Sequence, residues 1–457
     1  MARVGKVVAF VTVAAMVAVA CGNAGDKKAE RSTATTAAGG PTAAGGERTT
    51  KVPVDEKGVT DSEIRFTSIA TKTNNPLGTN IADAYNDGIE AYFAWRNAEG
   101  GIYGRKLVLA KKRDDQLVRN AEEAQAMVSE DDSFGAFVAT LFFSGADVLN
   151  QNNVPTFGWN IHPEFGGRRA IFGQIGPLCF GCVGRAIPWA MQQLGRTRIG
   201  ILAYGVTENS KICGVGIRES IKRYGPDVGG ATVAYFDNSL PFGLPNGLAP
   251  QVSAMKKAGV DFIATCMDLN GMKTLGEELA RQGMDDVVMW HPNSYNHAFV
   301  KANARIFEGD IVSIGSGFTA FEAKVDSEGQ RRFLEWTDKL GKKREELTMV
   351  GWMNADLAFQ GLLAAGPKFS RTGVIDAIRT RITHWTAGGL TPPVDWTKQL
   401  ELPTPGKRGW EGPLECFNAV KVVNGAFVQA FGEPGKPWVC WDNTTDEWHQ
   451  PKFMSFA

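Results

Sequence analysis

Hydrophobic positions along this chain follow two alternating periods. Residues 63–69 (EIRFTSI) alternate toward a strand, and residues 71–79, with Asn74, Asn75, Pro76 and Gly78, read as a loop. Residues 80–97 place Ile81, Tyr85, Ile89, Tyr92 and Phe93 at helical spacing, and Gly100–Gly101 end that helix with a left-handed cap. A strand at 106–110, a helix at 120–130 and an apolar strand at 135–139 follow. This β-α-β-α-β order predicts a parallel sheet with helices on its faces.

The plan then restarts. Helices at 184–194, 215–224, 248–258 and 270–281 alternate with strands at 198–203, 232–235, 262–264 and 287–290. Between the halves, residues 172–183 carry Gly173, Gly176, Pro177 and Gly181, a composition suited to a hinge. Two α/β units joined this way predict two lobes with a cleft. Residues 415–423 and 426–431 flank Asn424–Gly425 and read as a β-hairpin.

The richest stretch for chemistry is 134–165. Residues 140–144 leave one strand at its carboxyl end, and residues 158–163 leave the strand at 154–157 at the same edge. In open α/β sheets ligands bind at that edge, where backbone N–H groups are unpaired. Thr140, Phe142, Phe143, Ser144, Trp159, Asn160 and His162 are therefore candidates for half of a small-molecule site.

The N-terminus departs from both periods. Arg3 and Lys6 precede an apolar run over 7–20, shorter than the roughly 20 residues that span a bilayer. Residues 1–20 read as a secretory signal peptide. Ala18–Val19–Ala20–Cys21 resembles a bacterial lipobox, with Cys21 as the acylated residue, although a larger aliphatic is usual where Ala18 stands. Residues 22–51 are mostly Ala, Thr, Gly and Ser and cannot bury a core. Residues 21–57 are expected to be a disordered tether, about 30 residues of which reach roughly 30 Å. No later segment is apolar enough to span a membrane, so the expected location is extracytoplasmic, held to the cell membrane by lipid alone.

Charge adds an exclusion. Lys plus Arg and Asp plus Glu number 49 each in 457 residues, so nothing draws the chain toward nucleic acid. Enzyme signatures are also missing. His291 and His297 do not form a His-Glu-x-x-His pair, Gly315–Ser316–Gly317 lacks nucleophile-elbow spacing, and Gly214–Val215–Gly216 lacks the rest of a dinucleotide fingerprint. No cofactor, metal or catalytic residue is called for. Six cysteines besides Cys21 in an exported chain favour disulfides, with fifteen connectivities open. Cys179 and Cys182 have redox-motif spacing but fall in the expected hinge.

GVTDSEIRFTSIA at 58–70 and GIEAYFAWRNAEGGIYGRKLVLAKKRDD at 88–115 resemble the type I periplasmic solute-binding proteins of the Leu/Ile/Val-binding kind. The series continues through NNVPTFG, GRTRIGILAYG, KKAGVDFIA, ELARQGM and EGDIVSIG, in order. The resemblance implies an α/β fold of two Rossmann-like lobes with parallel central sheets and a three-crossing hinge. Lobe 1 would take 59–174 plus 291–397. Lobe 2 would take 175–290 plus 398–457 with a C-terminal extension, and the tail from Thr383 onward holds half of the twelve tryptophans, read as packing.

The resemblance also implies cleft contacts from 71–79 (Asn75), 140–144 and 159–162 on lobe 1. Lobe 2 would add 209–213 (Asn209), 267–270 (Asp268) and the second crossing, with Trp290, Asn293 and Tyr295. Asn293 stands about where amino-acid-binding relatives carry an acid for the ammonium; Asp268 is a substitute. Aromatics at 142, 143, 159, 290 and 295 favour a polar-headed solute with an apolar body. The expected pairs are Cys179–Cys182, Cys213–Cys266 (helix start and strand end at one sheet edge) and Cys416–Cys440 (on and just after the hairpin). The function implied is capture of a small organic molecule by hinge closure and delivery to an ABC importer. A ligand sensor on the same fold is the alternative, and a secreted enzyme a weaker one.

Overall fold

The structure is a computed structural model that describes residues 47–457 except Pro177, Phe180, Gly181, Asn293, Ser316 and residues 401–411. The expected leader, Cys21 and most of the expected tether lie outside the described residues. The end of the tether does not fit the expectation of disorder to residue 57. Tyr103 donates its N–H to Arg48 O (2.6 Å), Arg105 reaches Val52 O (2.9 Å), and Arg371 N reaches Glu56 Oε2 (2.9 Å). Buried Arg105 needs acceptors for its guanidinium N–H groups, and this segment supplies one of the three backbone carbonyls that take them.

The first lobe is built from β1 (Glu63–Ala70), α1 (Ala82–Ala98), β2 (Lys106–Asp114), α2 (Asn120–Glu130), β3 (Gly135–Ala139), α3 (Ala146–Gln151), β4 (Thr156–Gly158) and β5 (Ile171–Gly173). Its sheet runs β2-β1-β3-β4-β5, parallel throughout. β3, β4 and β5 are buried on both faces, as the apolar runs of β3 and β5 require, with Thr156 of β4 the one polar residue among them.

The second lobe begins with α4 (Ala186–Gln193), β6 (Arg198–Tyr204), α5 (Glu208–Tyr224), β7 (Thr232–Leu240), α6 (Ala249–Lys257), β8 (Phe262–Cys266), α7 (Leu269–Arg281) and β9 (Val288–His291). It continues through α8 (His297–Ala302), α9 (Ala304–Phe307) and β10 (Ile311–Ser313). β10 pairs in parallel with β9, giving the order β7-β6-β8-β9-β10, the same winding as lobe 1.

This pairing corrects the lobe boundary. Residues 291–313 belong with lobe 2, not lobe 1, because a strand's sheet is decided by its partner, and β10 finds β9. The chain rejoins lobe 1 only with α10 (Glu328–Lys339), α11 (Glu346–Ala365) and α12 (Arg371–Arg381). α11 lies against α1 at close range because Gly88 and Gly351 face the opposite backbones. A Cβ on Gly88 would strike Thr348 O, and one on Gly351 would strike Tyr85 O. Trp95 and Trp352 stack alongside, with centroids 5.4 Å apart.

The tail returns to lobe 2 as β11 (Leu414–Phe417), β12 (Ala419–Val423), β13 (Ala426–Gln429), β14 (Trp438–Asp442) and β15 (Lys452–Met454). β12 and β13 form the hairpin. Asn424 (φ 52°) and Gly425 (φ 72°) supply its left-handed turn, and β12 runs antiparallel to β10. The predicted first strand was too long: residues 414–417 belong to a separate sheet, β11-β14-β15. Cys416 and Cys440 therefore sit directly opposite each other on β11 and β14, not on and after the hairpin, and their Cα atoms are 4.2 Å apart across a disulfide.

The small sheet packs on lobe 2 through Val439 and Trp441, which join Trp189, Phe262 and Trp290 in one buried cluster. Arg185, fully buried, ties α4 to it through Glu415 Oε2 (2.9 Å). Trp385, Trp396, Trp438 and Trp441 are all buried. Trp410 lies outside the described residues. Among the described residues no helix is long and apolar enough to cross a membrane.

Candidate functional site

The carboxyl ends of the two parallel sheets face each other, and the loops leaving them form two rims. On lobe 1 the rim is fixed by carboxylates that gather backbone and hydroxyl donors. Asp114, at the end of β2, accepts from Lys72 N (3.0 Å), Thr73 Oγ1 (2.7 Å) and Gln116 N (2.9 Å). These bonds, only partly offset by burial, hold its carboxyl below the usual range. Asp115, fully buried, accepts from Leu117 N (3.0 Å), Asn120 Nδ2 (3.3 Å) and the Thr140 hydroxyl. The Thr140 hydroxyl thus serves the loop instead of standing free for a ligand carboxylate. Ser144 Oγ likewise accepts Ala121 N at α2 (3.2 Å).

His162 links this rim to the other. Its Nε2 donates to Thr140 O at 2.9 Å, and its Nδ1 accepts from Asn209 Nδ2, at the start of α5, at 2.9 Å. A second bridge comes from the Asn75 turn. Asn75 Oδ1 accepts Leu77 N (3.1 Å) and Asn75 Nδ2 donates to Thr79 O (2.7 Å), which turns Pro76 O toward Asn270 Nδ2 of α7 (3.0 Å).

On lobe 2 the rim consists of helix amino ends. Ser210 Oγ donates to Cys266 O (2.6 Å) and accepts Tyr204 N (2.7 Å), joining α5, β8 and β6. The Cys213–Cys266 disulfide crosses the same place, with Cα atoms 6.1 Å apart. Asp268 caps α7, accepting Asn270 N (2.8 Å) and Gly271 N (3.1 Å), while its other oxygen takes the Tyr204 hydroxyl (2.7 Å). Burial, and next the Asp268 carboxylate, push the Tyr204 phenol far above its ordinary range, so it donates at all working pH. Pro76, Tyr204, Phe242, Leu244, Asp268 and Asn270 enclose a hollow of about 100 Å³.

The sequence candidates divide accordingly. Asn75, Thr140, His162, Asn209 and Asp268 lie in the two rims and their bridges. Trp159 and Asn160, just past β4, are buried, and among the described residues neither the indole Nε1 nor the Asn160 amide atoms have a hydrogen-bond partner. Phe142 is exposed on the lobe 1 rim.

Three aromatics are placed elsewhere. Phe143 packs on Phe165 (5.2 Å) in the lobe 1 core. Trp290 lies between Phe262 (6.5 Å) and Phe417 (5.7 Å), under the small sheet. Tyr295 bonds Glu322 Oε2 (2.6 Å) among Phe318, Phe321 and Phe427. Trp290 and Tyr295 follow from cores that the tail and the 314–327 crossing complete, whereas Phe143 fills a core that lobe 1 builds by itself. Asn293 lies outside the described residues. Sequence reading missed Tyr204, whereas Pro76 and Asn270 fall inside the expected stretches 71–79 and 267–270 without being singled out. Asp268 two residues before Asn270 was a legible helix cap, but nothing marked Tyr204 as its partner.

Residues 73–403 match the periplasmic binding protein family. No curated protein matches the chain. Among solved structures, a substrate-binding periplasmic protein from Ralstonia solanacearum is 18% identical. It covers 80% of this chain and 100% of its own, with a TM-score of 0.61. A branched-chain amino acid ABC transporter protein from Thermus thermophilus with bound valine is 13% identical, covering 82% and 96%, at TM-score 0.60. A solute-binding protein from R. palustris in complex with benzoate is 15% identical, covering 80% and 95%, at TM-score 0.58.

The fold is thus the two-lobed α/β architecture of type I periplasmic binding proteins. The chain belongs to the periplasmic binding protein family, whose members bind solutes outside the cytoplasm and are not enzymes as a class.

Proposed function

We propose that this protein captures a small organic solute between its lobes and hands it to an ABC importer, working as a lipoprotein anchored through Cys21. The observation that carries this reading is the meeting of the two rims: His162 with Asn209 and Pro76 with Asn270 bring the ligand-binding edges of both sheets within hydrogen-bond reach. The sequence supplies the anchor: a charged start, an apolar run and Ala18–Val19–Ala20–Cys21.

The solute we infer has a polar head and an apolar body. With Phe143, Trp290 and Tyr295 engaged in packing, that inference stands on Trp159, with its buried and unpartnered indole N–H, and on the Asn160 amide beside it. An amide gives both a donor and an acceptor for a polar head, and the indole face suits an apolar body. The valine and benzoate bound by the structural relatives span this range.

Mass spectrometry of solute released from the gently denatured protein, followed by calorimetric titration against amino acids and aromatic or aliphatic acids, tests the reading. Submicromolar binding of leucine or valine with the acids silent returns the ligand to the branched-chain class. Turnover of the solute returns an enzyme. Cys21→Ser is expected to release the protein from the membrane fraction; retention of that variant overturns the anchor.

A further inference from the structure

The His162 bridge has chemistry that the binding reading does not use. Thr140 O can only accept, so the nitrogen that meets it, Nε2, carries a proton. In the neutral ring Nδ1 is then an acceptor, which is what the Asn209 amide N–H requires. The contact joins the loop after β4 in lobe 1 to the first turn of α5 in lobe 2, so it exists only while the lobes are together. A protonated ring would turn Nδ1 into a second donor facing the Asn209 amide N–H. The amide could turn over to offer its oxygen, but the imidazolium would still be buried.

We propose that His162 is a pH-sensitive latch between the lobes, holding them together while its ring is neutral and releasing them when the ring takes up a proton.

The surroundings of the ring agree. Burial holds the His162 imidazole below its ordinary value, and the Thr140 carbonyl, Glu164 on its own loop and Asp115 beyond β2 offset this only in part. The Asp115 carboxylate is occupied by three donors, Leu117 N on its own loop, Asn120 Nδ2 at the start of α2 and the Thr140 hydroxyl after β3. From lobe 2, the charges on the first turns of α5 are Glu208 and Lys211, which pair with each other at 3.0 Å. Among the described residues, the ring's hydrogen bonds go to the Thr140 carbonyl and the Asn209 amide and to no carboxylate.

The sign follows by linkage. With the lobes parted, the ring meets water and returns to a pKa near about 6.5. The closed arrangement binds fewer protons than the open one. The closed-to-open ratio is therefore highest above about pH 6.5 and falls as pH drops below it, by at most about tenfold per pH unit.

Small-angle X-ray scattering of the full-length protein without added solute, at pH 8 and pH 5, reads the lobe separation. The native radius of gyration is expected to grow on acidification. His162→Gln keeps an amide N–H for Thr140 O and does not titrate, so its radius should stay constant between the two values. Asn209→Asp puts a carboxylate against Nδ1 and should reverse the trend, closing the lobes as the ring protonates. A native radius that does not change with pH overturns the latch, and so does a change that His162→Gln reproduces in full. If His162→Gln fails to fold, Asn209→Asp, at a partly exposed position, decides alone: opening on acidification as in the native protein overturns the proposal. A bound solute is not needed for either outcome, so failure here leaves the solute-binding reading intact, and failure to find a solute leaves the latch intact.

Discussion

The two rims that meet at the cleft are built on opposite plans. Lobe 1 presents loops braced from within: Asp114 and Asp115 gather the donors of three loops, and the Thr140 hydroxyl is absorbed in that bracing. Lobe 2 presents the first turns of α5 and α7, held from behind by a disulfide and by the Tyr204–Asp268 bond, with Asn209 and Asn270 left to reach across. Side chains that look like ligand contacts in lobe 1 shape its loops, whereas in lobe 2 the reaching amides sit on helix ends. On the proposed reading, recognition is divided between a braced floor on lobe 1 and reaching amides on lobe 2.

Four substitutions test that contrast, in order of expected effect. Removing the Cys213–Cys266 bridge by a double Ser variant should cost lobe 2 about 4 kcal/mol, because it frees a loop of 53 residues. Denaturant unfolding checks it, and a native-like midpoint for the variant would mean that the helix ends are held by other contacts. Asp115→Ala should cost about 3 kcal/mol in the same assay, since three donors lose a buried acceptor. It should also loosen the 140–144 loop, seen as faster amide hydrogen exchange there and not in α5. Tyr204→Phe removes one hydrogen bond to a carboxylate and should cost about 2 kcal/mol. Its signature is faster exchange at the amino end of α7 with lobe 1 unchanged. Asn160→Ala should change stability least, by about 0.5 kcal/mol or less, because its amide has no protein partner to lose. Its effect should fall on affinity for the copurified solute, measured by calorimetry. A large loss of stability with affinity intact would make Asn160 part of the bracing and erase the distinction between floor and site.

Much of the fold was legible in the sequence because it is written locally. The strand at 135–139 and the helix at 120–130 have the bounds of β3 and α2, since an apolar run and a 3.6-residue period are properties of neighbours in the chain. What failed was long-range. Nothing in DIVSIG says that β10 would pair with β9 and leave residues 291–313 in lobe 2. The direction of an aromatic side chain past a strand end is also not periodic. Trp159 and Trp290 each stand at the end of a strand, yet Trp290 is claimed by Phe417 from the tail, more than a hundred residues on. His162 was legible as a rim residue, but its partner Asn209 belongs to the other lobe, and only the folded chain brings them together.

The hairpin of β12 and β13 has a consequence for the protein's life among its own copies. Without it β10 would end the lobe 2 sheet, offering a row of free backbone groups in a buried, apolar strand. The antiparallel pair seals that row and moves the border to β13, which is only four residues long, with Ala426 and Val428 facing water. Short borders are poor templates for a neighbouring chain. At this border, copies of the protein that meet find no long strand to join.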